Sequence, residues 1–179
     1  NTVKGYFKIE AIDRDGNVID SFEQKNLIMD KARETFAKLL AGISGTPVID
    51  RFVIGTQGNV SGDLLSPKTE INGFTSDREM IFAEATGQEG TEFSSLYFSA
   101  SGTNADTVIC DDGLSTVKIT VAGTDVVYEI NVHNDSCNGT GTAVYTECAF
   151  YCGSEIFSMR TFKGKIKDDT VSLRITWKI

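Results

Sequence analysis

The final ten residues of the sequence, TVSLRITWKI, alternate between apolar and polar side chains. The apolar positions are Val171, Leu173, Ile175 and Trp177. Because successive side chains of a β-strand point to opposite faces of a sheet, this pattern predicts a strand with one buried face. A strand that closes a sequence frays unless neighbouring strands hold it, so we expect it inside a sheet with Trp177 in the core.

Short runs of similar character recur along the sequence, and Gly, Asn and Asp separate them at intervals of about ten residues. The runs are YFKIEA, RFVI, EMIFAEAT, EFSSLYFSAS, DTVICD, TVKITVAG, DVVYEINV and TAVYTECAFYC. Asp15-Gly16 is a typical hairpin turn, and we expect EIFSMRTF and the final strand to form a closing hairpin. This rhythm predicts a mainly β fold, an antiparallel β-sandwich.

One segment, MDKARETFAKLLAG, has the spacing of an amphipathic helix at about residues 30–41. Asp30 is expected to cap its start and Gly42 to end it. The apolar face comprises Ala32, Phe36, Leu39 and Leu40. We expect this helix, near the N-terminus, to pack on one end or one face of the sandwich.

The 179 residues contain no internal repeat and no linker, so we expect one domain over residues 1–179. A net charge of −8 without a basic stripe argues against nucleic-acid binding. No apolar run approaches the roughly 20 residues that span a bilayer, so no membrane partner is expected. The opening NTVKGYFKIEA has no apolar signal region, which predicts synthesis in the cytoplasm.

The four cysteines are expected to be free thiols, because a domain of this size does not need disulfides. An alternative is a zinc site, since His133, Cys137, Cys148 and Cys152 have the form H-x3-C-x10-C-x3-C. On one strand, however, Cys148 and Cys152 would stand about 13 Å apart, at about 3.3 Å per residue. No metal is therefore expected unless the chain turns between them.

Residues for catalysis and cofactor binding are sparse. His133 is the only histidine, and its closeness in sequence to Cys137 is a weak indication of a catalytic pair. The Gly-rich loop GTQGNVSG lacks the Gly-Lys-Ser/Thr of a phosphate-binding loop. We therefore expect neither an enzyme nor a cofactor.

We expect the acidic pairs and clusters in the sequence to lie in turns. Asp13, Asp15 and Asn17 have the spacing of a calcium loop, but the glycine falls at the fourth position instead of the sixth. Asp111-Asp112 and Asp168-Asp169 also read as turn residues.

The closing segment resembles a pattern in small structural proteins of tailed bacteriophages. That pattern runs Glu-Ala-Gly-Leu-Phe, a turn, Leu-Phe-x-Arg-x-x-Phe, a spacer with a Lys, and an alternating strand ending Trp-x-Ile. The matching residues here are Glu147, Phe150, Ile156, Phe157, Arg160, Phe162, Lys167, Trp177 and Ile179. The helix and the RFVIGTQG segment resemble the front of the same proteins, whereas Cys148 and Ala149 replace the Ala-Gly pair. Arg160 is expected either to pair with Glu147 or to lie exposed at an interface.

The resemblance implies a non-enzymatic virion structural protein: a capsid decoration protein or a collar, tail or fibre-associated component. Its partners would be other virion proteins, including copies of itself as a homo-oligomer, and its location the virion. The alternative is a receptor- or glycan-binding module at a fibre tip, which would use loops near Gly58, Asn104 and Asn138 on a host surface receptor. The loop stretches are residues 57–62, 99–106 and 134–142.

Overall fold

The computed structural model describes residues 5–25, 27–60, 63–64, 89–98 and 107–179. The secondary structure in these ranges comprises β1 (Tyr6–Ile12), β2 (Val18–Lys25), β3 (Leu27–Ile28), α1 (Asp30–Leu40), β4 (Ile49–Gly55), β5 (Asn59–Val60), β6 (Asp63–Leu64), β7 (Phe93–Tyr97), β8 (Thr107–Ile109), β9 (Thr116–Ala122), β10 (Asp125–Val132), β11 (Ala143–Cys152), β12 (Glu155–Lys167) and β13 (Ser172–Lys178). The predicted strand EMIFAEAT and the predicted loop near Asn104 lie outside the described residues. Within the described residues, no helix has both the length and the apolar character needed to cross a membrane.

The strands form two large sheets and one small one. The six-stranded sheet has the order β2-β1-β13-β10-β9-β8, the five-stranded sheet has the order β3-β12-β11-β4-β7, and β5 pairs with β6. Neighbouring strands in each sheet are antiparallel. Inner-face residues of both large sheets belong to one hydrophobic core. The prediction of an antiparallel β-sandwich with one helix is confirmed.

Strand β13 lies inside the six-stranded sheet, with β1 on one side and β10 on the other. Its apolar face carries Leu173, Ile175 and Trp177, which are fully buried. Because both edges of the strand are paired, it is held along its length. The predictions of a strand inside a sheet and of a core position for Trp177 are therefore confirmed.

The expected hairpin between the last two strands is wrong. β12 pairs with β11 and β3, whereas β13 pairs with β1 and β10 in the opposite sheet. The chain crosses between the sheets from Lys167 to Ser172, and the Asp168 carboxylate accepts hydrogen bonds from the backbone N–H and the hydroxyl of Thr170. The crossover lets both strands bury apolar side chains in the same core from opposite sides.

Helix α1 packs at one end of the sandwich. Ala32 is buried, and the Phe36 ring lies edge-on to Phe157 with centroids 5.2 Å apart. The predicted cap at Asp30 is wrong, because the cap residue is Met29 and Asp30 is already helical. Met29 stays extended since its N–H donates to the Phe157 carbonyl, which continues the pairing with β12.

Gly42 ends the helix as predicted, in a left-handed conformation with φ +65°. Its N–H donates to the Leu39 carbonyl, and the N–H of Ile43 donates to the Lys38 carbonyl, a Schellman arrangement. This end geometry leaves Leu40 on the solvent side, where it is 90% exposed. Leu40 therefore does not belong to the buried helix face that the spacing predicted.

The outer faces of the two sheets differ in character. On the six-stranded sheet, the Glu10 carboxylate forms ion pairs with Arg174 at 2.9 Å and with Lys8 at 2.8 Å. The outer face of the five-stranded sheet carries a second buried apolar cluster. It consists of Met29, Val53, Phe93, Ala149, Tyr151, Ile156 and Met159. The residues named on the first outer face are therefore charged and paired, and the apolar residues named on the second are buried.

The acidic turn between β1 and β2 is stabilised from within. The Asp13 carboxylate accepts hydrogen bonds from the backbone N–H groups of Asp15 and Asn17 and from the Asn17 side-chain amide. These bonds hold the pKa of Asp13 below its usual range. The carboxylate thus has the turn role that the sequence predicted.

Candidate functional site

An exposed apolar surface lies where α1 ends, and we call it the helix-end patch. It includes Leu39, Leu40 and Ile43 at the end of the helix, and Val48, which lines the same cavity as Leu39. Val121 is included because it lies opposite Val126, another residue of that cavity. Leu40 is 90% exposed and Val121 73% exposed. Val121 lies across the β9–β10 pair from Val126, and both are inner-face positions beyond the cover of the opposite sheet.

The patch borders an apolar cavity of about 160 Å³ between α1 and the sandwich. Leu39 and Val48 of the patch line it, together with Val126. Tyr128 and Cys152 also line the cavity, and burial raises the pKa of each to about 12. Both groups therefore stay neutral at physiological pH, so the cavity presents an uncharged surface suited to an apolar side chain.

The opposite end of the interior is polar. Lys165 and Lys167, on the inner face of β12, are both fully buried. The ammonium of Lys165 pairs with Asp20 at 2.8 Å, and Asp20 lies on β2 of the opposite sheet. This ion pair lowers the pKa of the Asp20 carboxyl. The contact joins the two sheets at the end far from α1.

Lys167 Nζ donates to three oxygen atoms. They are the carbonyl of Asn134 at 2.8 Å, Oδ1 of Asn138 at 2.5 Å and the carbonyl of Asp168 at 3.0 Å. Burial lowers the pKa of Lys167 to about 8, and nearby acidic groups oppose that effect. Since two of the three acceptors lie in residues 133–141, Lys167 fixes this loop over the polar end.

A second group of hydrogen bonds holds the same loop. The Asp112 carboxylate accepts from the hydroxyls of Ser115 at 2.6 Å and Ser136 at 2.5 Å. The hydroxyl of Tyr145 donates to the Cys137 carbonyl at 2.6 Å. Cys137 has φ +57°, a left-handed conformation that is strained for a residue with a side chain. Asp112 therefore has a turn role, as predicted, and also anchors the loop.

The residues of the zinc alternative lie in different surroundings. Cys148 and Cys152 share the inner face of the continuous strand β11, and both thiols are buried and unpaired. Cys137 lies in the loop at the polar end, and His133 begins that loop. In the described part of the chain, no three His, Cys, Asp or Glu side chains are grouped so as to hold a metal ion.

His133 and Cys137 have separate partners. His133 Nδ1 accepts a hydrogen bond from the backbone N–H of Asp135 at 3.2 Å. The Cys137 sulfur lies 3.4 Å from the Ser136 hydroxyl, and burial raises the pKa of its thiol. Neither contact activates the thiol as a nucleophile.

The expected pair between Arg160 and Glu147 is wrong. In the register of β11 and β12, Arg160 lies opposite Cys148 and Glu147 lies opposite Thr161, so the two charged side chains belong to opposite faces. Glu147 Oε1 accepts from the backbone N–H of Gln57 at 3.3 Å. Arg160 Nε is buried without a hydrogen-bond partner among the described residues.

Two of the predicted contact loops have internal roles. Gly58 is buried, and its N–H donates to Thr146 Oγ1 at 2.8 Å. Asn138 is half-buried and holds Lys167. Their positions differ from the exposed loop tips that the composition predicted, because both loops fold back onto strands of the five-stranded sheet.

Gly58→Ala is expected to destabilise the protein by about 2–3 kcal/mol, through overpacking. An added β-carbon would lie 2.2 Å from the Thr146 carbonyl oxygen, and backbone cannot rotate away. Gly164→Ala is the matched control, because its β-carbon would meet only side-chain methyl groups, that of the exposed Val144 at 2.9 Å and that of Thr146 at 3.8 Å. Urea unfolding of both variants checks the difference. Equal losses of unfolding free energy in the two variants would show that the close contact between Gly58 and the Thr146 carbonyl does not cause the destabilisation.

Sequence reasoning missed the helix-end patch and the buried lysines. The segment LLAGI contains apolar residues beyond the helical stripe, and this excess was the available signal for the patch. Lys165 and Lys167 occupy alternate positions of β12 that face the core, but a strand pattern read alone assigns lysines to solvent. Comparison of the chain with protein families, with curated proteins and with solved structures finds no match.

Proposed function

We propose that this protein is a non-enzymatic structural subunit of a tailed bacteriophage particle that binds other virion proteins and further copies of itself. The helix-end patch carries this proposal. The sequence resemblance described above supports the virion context, in a capsid decoration, collar, tail or fibre-associated position. The protein would be made in the host cytoplasm and then join the particle.

The energetics of the patch favour a protein partner. Monomeric proteins rarely expose contiguous apolar patches beyond a few hundred Å² unless the patch has a function. Fully burying an exposed aliphatic side chain contributes about 1.5–3 kcal/mol, so Leu40 would contribute most to association and the half-exposed Leu39 and Ile43 less. A stable interface needs about 800 Å² per partner, so the patch would form its apolar centre and polar residues around it the rim.

The patch also has a shape that suits self-association. Leu40 is 90% exposed, and its neighbour in sequence, Leu39, lines a cavity together with Val48 of the same patch. In a two-fold interface, a projection on one copy can enter the cavity of the other, and the reverse contact forms at the same time. The net charge of −8 would keep unassembled copies soluble.

Leu40→Glu is expected to weaken self-association at least tenfold, because it would place an unpaired charge in an apolar interface. The free energy of unfolding should change by less than about 0.5 kcal/mol, since Leu40 is 90% exposed. Sedimentation velocity over a concentration series measures the association, and chemical denaturation measures the stability. Ile166→Glu is the control, because Ile166 is exposed on β12 outside the patch.

Two results would contradict the proposal at different levels. Unchanged association of the Leu40→Glu variant would show that the helix-end patch is not the contact surface. Immunogold electron microscopy of particles from a phage that encodes the chain tests the virion context. Label on the head, neck or tail is expected, label confined to a distal fibre tip would favour receptor binding, and unlabelled particles would contradict the virion role.

A further inference from the structure

At the polar end of the sandwich, a buried amine touches a side-chain amide. Lys167 Nζ lies 2.5 Å from Oδ1 of Asn138, and the lysine side chain is fully buried. Because the C=O bond is about 1.23 Å long, the adjacent amide carbon, Cγ, lies no more than about 3.7 Å from the same nitrogen. Two groups held in this way react as if at very high local concentration.

The carbonyl oxygen of Asn134 contacts both nitrogen atoms that such a reaction would involve. It accepts from Lys167 Nζ at 2.8 Å and from Nδ2 of Asn138 at 2.9 Å. The position of Asn134 is fixed in turn, because its own amide donates to the Asp169 carbonyl at 2.9 Å. The amine and the amide are therefore aligned by one common acceptor.

We propose that Lys167 and Asn138 form an intramolecular isopeptide bond. The amine nitrogen of Lys167 attacks Cγ of Asn138, a bond forms between Nζ and Cγ, and the bond between Cγ and Nδ2 breaks. The leaving nitrogen departs as ammonia and takes up the proton that the ammonium form of lysine carried. One ammonium ion is released for each ammonium group consumed, so atoms and charge balance without an oxidant or a cofactor.

In the contacts above, Lys167 Nζ donates to three oxygens, as an ammonium does, so the reaction proceeds from the fraction of molecules in which the amine is neutral. Burial lowers the pKa of Lys167 to about 8, so about a tenth of the molecules carry the neutral, nucleophilic amine at pH 7. Asn138 directly follows Cys137, whose left-handed backbone accepts a hydrogen bond from the Tyr145 hydroxyl. The product bond would replace a buried charge by a neutral amide, which removes the cost of burying the ammonium.

The bond would close a covalent loop between residues 29 apart in sequence and tie the loop of residues 133–141 to β12. A cross-link of that span restricts the unfolded chain in the way a disulfide does. We expect the linked protein to unfold at a temperature roughly 10 °C higher than an unlinked form. This consequence does not depend on the helix-end patch.

Intact-mass spectrometry of the denatured wild-type protein tests the proposal. The expected mass is lower than the sequence mass by one ammonia, and a protease digest should contain one branched peptide that joins the Asn138 and Lys167 segments. Lys167→Arg should restore the full mass, because arginine keeps the buried positive charge but cannot form the bond. Circular dichroism of that variant verifies that it is folded.

A second route to the same mass loss exists, because Asn138 precedes Gly139 and such a pair can form a cyclic imide. The imide would persist in the Lys167→Arg variant and would give no branched peptide. Mass loss without a branched peptide would overturn the proposal, and so would a full-length mass that stays unchanged after prolonged incubation of the folded wild-type protein. The branched peptide decides the question from wild-type protein alone, even if the variant does not fold.

Discussion

Replacing Phe150 with alanine is expected to lower the free energy of unfolding by about 4 kcal/mol, near the upper end for a single core substitution. Phe150 is fully buried on the inner face of β11. Its ring lies 4.7 Å from that of Trp177 and 4.8 Å from that of Tyr128, both in the opposite sheet. Within its own sheet it also contacts Phe52, at 5.8 Å. The substitution therefore removes contacts on both sides of the sandwich and leaves a cavity that rigid strands cannot close.

Guanidinium denaturation measures the loss, with the dependence on denaturant fitted as a two-state transition. Phe150→Leu should cost much less than Phe150→Ala, since it keeps most of the volume. Ile166→Val is the surface control, because Ile166 is exposed outside the helix-end patch and this change should cost under about 0.5 kcal/mol. A loss below about 1 kcal/mol for Phe150→Ala would mean that the two sheets are not held together at this ring cluster.

The architecture could be predicted from sequence because one physical rule repeats along the chain. A side-chain period of two fixes which residues of a strand face the core, and a slip by one residue would expose all of them. Leu173, Ile175 and Trp177 obey that rule, and so do Phe7 and Ile9 in β1. Their burial in the structure follows directly from the alternation.

The assignment of strands to sheets could not be predicted in the same way. A short turn after Lys167 suits a hairpin and suits a crossing between sheets equally well, because both begin with a reversal of the chain. What decides between them is the pairing of β13 with β1 and β10, which are distant in sequence. Local patterns contain no information about such pairings.

The candidate site was hidden for two different reasons. Leu40 fits the helical spacing as well as Phe36 does. Phe36 is covered because its ring packs against Phe157, whereas Leu40 lies close to the end of the helix at Gly42. A lysine is normally assigned to solvent, but Lys167 is buried at an end of the core where the carbonyls of Asn134 and Asp168 accept its hydrogen bonds. Both outcomes depend on neighbours that only the folded chain supplies.

Raising the pH from 8 to 10 is expected to lower the free energy of unfolding by about 3 kcal/mol. Burial raises the pKa of Cys110 and Cys152 to about 12, and that of Cys148 well above its ordinary value of 9.0. At a pH below the pKa that these thiols have in the unfolded chain, their contribution to stability is fully present. Above it, the unfolded chain releases protons that the folded chain keeps, so stability falls by about 1.4 kcal/mol per pH unit for each thiol.

Lys167 titrates in the opposite direction as a free amine. Its pKa is lowered to about 8, so between pH 8 and pH 10 the unfolded chain holds more protons at this site and the fold gains about 2 kcal/mol. The figure of about 3 kcal/mol includes this gain and small losses from Tyr128, Tyr145 and Cys137, because burial raises the pKa of each. A lysine consumed in an amide bond does not titrate, so the linked protein should lose about 5 kcal/mol over the same range.

Urea unfolding at half-unit steps from pH 7 to pH 10 measures this dependence, with a reductant present to keep the thiols free. Cys152→Ala should flatten the fall by about 1.4 kcal/mol per pH unit above pH 9, because it removes one titrating group. Stability that is constant up to pH 10 would contradict the burial of the thiols. The fall in the free energy of unfolding of the wild-type protein then distinguishes a free Lys167 from a linked one, because only the free amine offsets the effect of the thiols. The mass of the same sample shows independently whether the bond has formed.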